Sequence, residues 1–242
     1  MSRIGMCQLC NSQKKLCDAH IIPWGLYPKS SNIRAYTLSS NRQDPRPKGV
    51  FDRNILCAEC DRQLGRFDDY AAKVLLPWPR RRDLYKREDG FLERGSLGSK
   101  YFAYWIKAPD IRLLQGFAAS LLWRSAVTSR DEIQIELGLA DLERTRRVFE
   151  QDDRSSYFDI LVQRMPRDIF SKFVSGPVKL DGAFQFCMSG VVLNIYLKRH
   201  DTPPEADCLV LGRTSDLLVG FVPFWGSKFE ESFREIVMKD RS

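Results

Sequence analysis

The chain reads as α+β, a small metal-binding module followed by a larger domain of core helices and a mostly antiparallel sheet. Three observations predict this. Cys7-Gln-Leu-Cys10 and Cys57-Ala-Glu-Cys60 are two Cys-x-x-Cys knuckles. Residues 110–127 carry apolar side chains around much of a helical circumference, as a core helix does. Beyond Tyr157 the pattern shifts to short strand-like runs. The resulting division is a module at 1–76, a basic linker at 77–100 and an α+β domain at 101–242.

A Cys-x-x-Cys pair presents two thiolates at a tight turn, and two such pairs complete the closed tetrahedral site that structural zinc takes. The interval from Cys10 to Cys57 exceeds ordinary finger spacing, so a further structural unit lies inside it. Within it, 11–15 is polar and turn-like after a lead-in at 1–6. Residues 16–22 read as a short strand stopped by Pro23, which cannot continue a ladder. Trp24 to Tyr27 are expected to pack under the site, and 29–48 reads as an exposed loop. A second strand is expected at 50–56. Leu64, Phe67, Ala71, Val74 and Leu75 then form one apolar stripe, which predicts a helix over 60–76 ending at Pro77-Trp78-Pro79.

Arg80-Arg81-Arg82 and Lys86-Arg87 are either a solvated linker or a basic rim along a nucleic-acid path. Residues 90–99 are expected to hold the domain boundary. Residues 101–106 are a strand or a helix start, and Asp110 can cap the core helix after it. A helix over 141–151 would turn Leu142, Val148 and Phe149 inward and Arg144, Arg146 and Arg147 outward. Strands are expected at 157–163, 208–212 and 217–223. Residues 184–188 and 191–197 form either a hairpin or one strand kinked at Gly190. A helix over 229–238 closes the chain.

The net charge of +7 is unevenly distributed. Residues 1–100 carry 19 lysines and arginines against 11 acids, whereas 101–242 carry 19 against 20. The basic excess therefore sits with the knuckles, either as the footprint of a phosphate-backbone partner or as an ordinary solvated surface. No apolar run approaches the ~18 residues a membrane span needs, and no apolar signal core begins the chain. Seven cysteines, four of them in knuckles, fit a reducing cytoplasmic setting better than a disulfide framework. Cys187 and Cys208 are expected to be buried small hydrophobes, and Cys17 is ambiguous. Of the two histidines, His200 lies in a charged turn, whereas His20 ends a strand between the knuckles. His20 is either a general base, a spare metal ligand or a packed core residue.

Cys7-x-x-Cys10, then Asp18-Ala19-His20-Ile21-Ile22-Pro23, then Asn54-Ile-Leu-Cys57-x-x-Cys60-Asp61 resembles the HNH endonuclease family over the first third of the chain. The resemblance implies a ββα-metal, treble-clef-related module and metal-dependent hydrolysis of DNA phosphodiesters. Under it His20 takes a proton from the attacking water. Asp61 holds a catalytic Mg²⁺ or Mn²⁺, Asn54 holds the loop presenting the histidine, and Cys7, Cys10, Cys57 and Cys60 hold structural Zn²⁺. Two positions depart from the family pattern. Ala19 stands where a metal-binding Asp or His is common, with Asp18 one residue earlier as a further candidate ligand on the face of His20. Asp61 replaces a histidine, and a carboxylate suits a hard Mg²⁺ ion. Host defence in a bacterium or phage is a fitting setting for such a nuclease. Residues 101–242 would position substrate, dimerise or dock a partner subunit. The alternative that Ala19 favours is a catalytically inactive zinc module that binds nucleic acid or a protein partner.

Overall fold

The computed structural model describes residues 3–27, 49–77, 84–86, 101–131, 133–165, 174–180, 182–198, 201–202 and 204–221. The expected loop at 29–48, the Arg80-Arg81-Arg82 run, the boundary at 90–99, His200, the Cys208 side chain and the helix at 229–238 lie outside these residues. The α+β class holds.

Strands β1 (Ile4–Met6) and β2 (Gln13–Lys15) form an antiparallel hairpin around the first knuckle. Both were expected to be irregular, because they are largely exposed and so carry no apolar alternation. The knuckle itself closes them: Asn11 N donates to Cys7 O (2.9 Å) and Cys7 N to Ser12 O (3.0 Å). Asn11 adopts φ 51°, a left-handed conformation that asparagine tolerates better than most residues.

The expected strands at 16–22 and 50–56 contract to β3 (Ala19–His20) and β4 (Phe51–Asp52), paired antiparallel with His20 opposite Phe51. Beyond that pair the flanks keep single bonds: Cys17 N donates to Leu56 O (3.0 Å), and Gln8 N of the first knuckle donates to Ile55 O (2.8 Å). Helix α1 (Ala58–Leu75) follows, with Leu64, Phe67, Ala71 and Leu75 buried as the stripe requires.

The remaining strands are β5 (Leu84–Lys86), β6 (Tyr101–Ile106), β7 (Asp159–Arg164), β8 (Val174–Leu180), β9 (Ala183–Met188), β10 (Val191–Tyr196) and β11 (Leu217–Phe221). They form one seven-stranded sheet in the order β5-β6-β11-β7-β10-β9-β8, antiparallel except between β11 and β7. β9 and β10 are a hairpin, not one kinked strand. Ser189 and Gly190 both take positive φ (51° and 80°), the requirement of a tight two-residue turn that follows the strand twist. The strand expected at 208–212 is instead the end of a 3-10 turn (Pro204–Leu209) and a lone bridge from Val210 to Leu161. β11 pairs with β7 only at Gln163 and Arg164, and the 209–211 segment meets the rest of that edge through this bridge and Leu211 N donating to Ile160 O (2.8 Å).

Helix α2 (Ile111–Val127) is buried on all sides, from Leu114 to Ser125, and Asp110 caps it by accepting from Leu113 N (3.1 Å). It shares one apolar core with α1 and with Phe158, Ile160, Phe186, Leu193 and Val219 near or in the sheet. A β-carbon at Gly116 would lie 2.4 Å from the Phe67 ring, so glycine is what lets α1 and α2 meet there. Helix α3 (Leu139–Gln151) buries Val148 and Phe149, with Leu142 half-buried. Its arginines do not all face outward. Arg144 tucks in and donates to the carbonyls of Ser156, Tyr157 and Leu197, while Arg146 donates to Leu9 O (2.9 Å) behind the first knuckle. Backbone carbonyls at strand and turn ends supply acceptors that a helical wheel does not reveal.

Candidate metal centre and the histidine beside it

The sulfur atoms of Cys7, Cys10, Cys57 and Cys60 all lie within 4.8 Å of one another. A tetrahedral zinc with bonds of about 2.3 Å needs sulfurs roughly 3.8 Å apart. The four cysteines could therefore hold a metal ion such as zinc. Cys57 is the N-cap of α1 and Cys60 sits in its first turn, where the helix dipole favours thiolate. Burial, then the neighbouring sulfurs of Cys57, Cys7 and Cys10, push the Cys60 thiol well above its ordinary value. A bound divalent cation reverses that by stabilising the thiolates. Cys17 lies outside the group; its thiol donates to Leu56 O (3.4 Å), and burial pushes it up to about 11. Cys187 is wholly buried, as expected of a small hydrophobe.

His20 is half-buried at the end of β3 and is not among the four metal-cluster residues. Its ring lies 5.9 Å from that of Trp24 and 6.1 Å from that of Phe51. The backbone around it is held on two sides. β4 pairs along one edge, extended by Ile21 N donating to Val50 O (3.0 Å). From the other direction, Arg124 Nη1 donates to His20 O (3.1 Å).

Asp61 lies in the first turn of α1, one residue past Cys60. Burial pushes its carboxyl up, while the charges of Arg124 and His20 pull it back. His20, Asp61 and Arg124 are thus electrostatic neighbours. Asp18 is exposed and paired with Arg53 (3.0 Å). Ala19 is completely buried and offers no ligand atom. Asn54 donates through Nδ2 to Ser129 Oγ (3.3 Å), and its Oδ1 is buried with no hydrogen-bond partner among the described residues. It links the loop after β4 to the end of α2. Among the described residues, the cysteine quartet is the one group of three or more His, Cys, Asp or Glu side chains close enough to share an ion.

Two residues that sequence reasoning passed over organise this region. Arg124, 1% exposed, sends Nη2 to both carboxylate oxygens of Asp68 (2.8 and 2.7 Å) and to Ser120 Oγ (3.3 Å). One guanidinium thereby joins α1, α2 and the backbone of His20. The signal was a lone arginine inside Leu121-Leu122-Trp123-Arg124-Ser125-Ala126-Val127, seven residues after buried Phe117. A charge at a core position needs a buried partner.

Asp52, 0% exposed, is the second. It accepts from Thr128 Oγ1 (2.7 Å), Ser129 N (2.7 Å), Ser129 Oγ (2.9 Å) and Asn54 N (2.8 Å). Burial pushes its carboxyl up, but these hydrogen bonds prevail and hold it below the usual carboxylate range. Its contribution to stability is therefore present above the unfolded-chain pKa of about 4 and is lost as pH falls through the lower folded value. Asp52→Asn should cost about 3 kcal/mol at pH 7. Thermal melts of both proteins from pH 7 to pH 3 should show that gap shrinking only below about pH 4.

Comparison with protein-family models, curated proteins and solved structures finds no match.

Proposed function

We propose that the chain is a metal-dependent endonuclease of the HNH type that hydrolyses DNA phosphodiester bonds. The observation that carries the reading is the shared environment of His20 and Asp61. His20 ends β3, Asp61 sits in the first turn of the next helix within electrostatic reach of it, and Cys57 and Cys60 of the cysteine quartet stand at the start of that helix. The order of β3, β4 and α1, with knuckles at either end, supports the resemblance seen in the sequence.

In this mechanism the His20 imidazole accepts a proton from the water that attacks phosphorus. Arg124 and β4 fix the backbone from which the ring projects. Asp61, with waters and the substrate's own oxygens, would hold Mg²⁺ or Mn²⁺, since oxygen donors suit these hard ions. Bound there, such an ion would supply charge stabilisation at the phosphate and the leaving oxygen. Asp18, paired with Arg53, is a further candidate ligand. Asn54 supports the loop after β4. The cysteines, holding zinc, brace the scaffold. The basic excess of residues 1–100 supplies attraction to the DNA backbone.

Among the described residues no helix is long and apolar enough to cross a membrane. The unpaired thiols suit a reducing cytoplasmic setting. Residues 101–242 contribute through Arg124 to the placement of His20, beside any role in dimerisation or partner docking.

The test is incubation of the purified protein with supercoiled plasmid and Mg²⁺ or Mn²⁺, with an EDTA control. Nicking that requires the added metal is the expected result. The second reading, a zinc module that only binds nucleic acid, is favoured by the burial of Ala19. A salt-sensitive gel shift without nicking would select it.

A further inference from the structure

Trp24 belongs to a short 3-10 turn (Trp24–Leu26) directly after Pro23, and 51% of it is exposed. The sequence pattern places Trp24 to Tyr27 under the site; Leu26 and Tyr27 are buried there, and Trp24 is not. The Trp24 ring lies 5.6 Å from the Tyr27 ring, at an interplanar angle of 27°. Tyr27 is itself fixed: its hydroxyl accepts from Val50 N (2.9 Å). Gly49, at φ +69°, passes so close that a β-carbon there would lie 2.8 Å from the tyrosine ring. Ser189 Oγ donates to Leu26 O (2.7 Å) and anchors the far end of the turn. The indole is therefore a rigid plate backed by a buried ring, with much of its surface open to solvent. Holding a large aromatic ring in water loses the benefit of burying it, unless a ligand covers it.

The position of the plate gives the ligand its chemistry. The His20 ring is 5.9 Å away and tilted by 43°, so the two rings are not stacked face to face. A nucleobase stands one sugar away from its phosphate, a span of the same order. We propose that Trp24 stacks on an unpaired base next to the scissile phosphate, so that the site prefers single-stranded or locally unpaired DNA over intact duplex. The proposal rests on the nuclease reading of His20. Duplex bases are already stacked on their neighbours and cannot offer a face to the indole, whereas an unpaired base can.

The test uses the full chain, a fluorescein-labelled single-stranded 12-mer and its duplex, without added Mg²⁺ or Mn²⁺, with fluorescence anisotropy as readout. Trp24→Ala should weaken single-strand binding by roughly 10-fold and leave duplex binding within about 2-fold, while Trp24→Phe keeps most of the single-strand affinity. Equal binding of the single strand by native protein and Trp24→Ala overturns the proposal. So does an equal loss on both DNAs. Metal-dependent plasmid nicking is measured beside it. A native protein that nicks plasmid but binds the single strand no better than Trp24→Ala removes the Trp24 proposal alone. A native protein that neither nicks plasmid nor binds either DNA removes the nuclease reading and the proposal with it.

Discussion

Replacing Arg124 with alanine is expected to destabilise the protein by about 3–5 kcal/mol and to reduce DNA cleavage further than that loss explains. The cost arises because Asp68 stays behind, its side chain only 15% exposed, with its counter-charge gone. Burial pushes the Asp68 carboxyl up, and the Arg124 guanidinium is the chief influence opposing it. The same deletion releases the carbonyl of His20. Stability and positioning can be separated. Exchanging both partners for apolar residues, Arg124→Met with Asp68→Leu, removes the charge without leaving an orphan, a change that often restores stability in buried pairs. That double variant should melt within a few degrees of the native protein yet cleave plasmid poorly, because nothing then holds the backbone of His20 from the α2 side. A double variant that cleaves at the native rate would show that Arg124 matters to folding alone.

Cys57→Ser or Cys60→Ser should abolish tightly held zinc, measured by elemental analysis of the purified protein, and lower the melting temperature by more than ~10 °C. Structural zinc contributes on the order of 10 kcal/mol in isolated fingers, and here the lost ligand also begins α1. The loss should spread beyond the metal, since Leu9, Leu16, Leu56 and Leu64 belong to the same apolar core as α2. Cys17→Ser is the control, because that sulfur lies outside the cluster. It should keep one zinc per chain.

The helices were legible because their apolar residues recur at helical spacing: the Leu64, Phe67, Ala71 and Leu75 stripe and the all-round burial of 114–125 need no tertiary knowledge. The cysteine quartet was legible because Cys-x-x-Cys is itself a geometric statement. β1 and β2 were hidden, since exposed three-residue strands bury nothing and leave no periodic trace. The contraction of the strands at 16–22 and 50–56 was equally invisible. The Ile55 carbonyl, for instance, is taken by Gln8 N of the first knuckle, a partner whose position depends on the fold. Arg124 and Asp52 escaped notice for one reason. Their partners lie 56 and 76 residues away in sequence, so only the folded chain shows what a buried charge is paired with.

His20→Ala, assayed for plasmid nicking in Mn²⁺ beside zinc content and thermal melting, tests the central claim most directly. Loss of a general base should lower nicking by ~100-fold or more. Zinc should remain at one ion per chain and the melting temperature within a few degrees of native, because the His20 ring is not one of the four sulfur ligands. Native-rate nicking by the alanine variant would contradict the account.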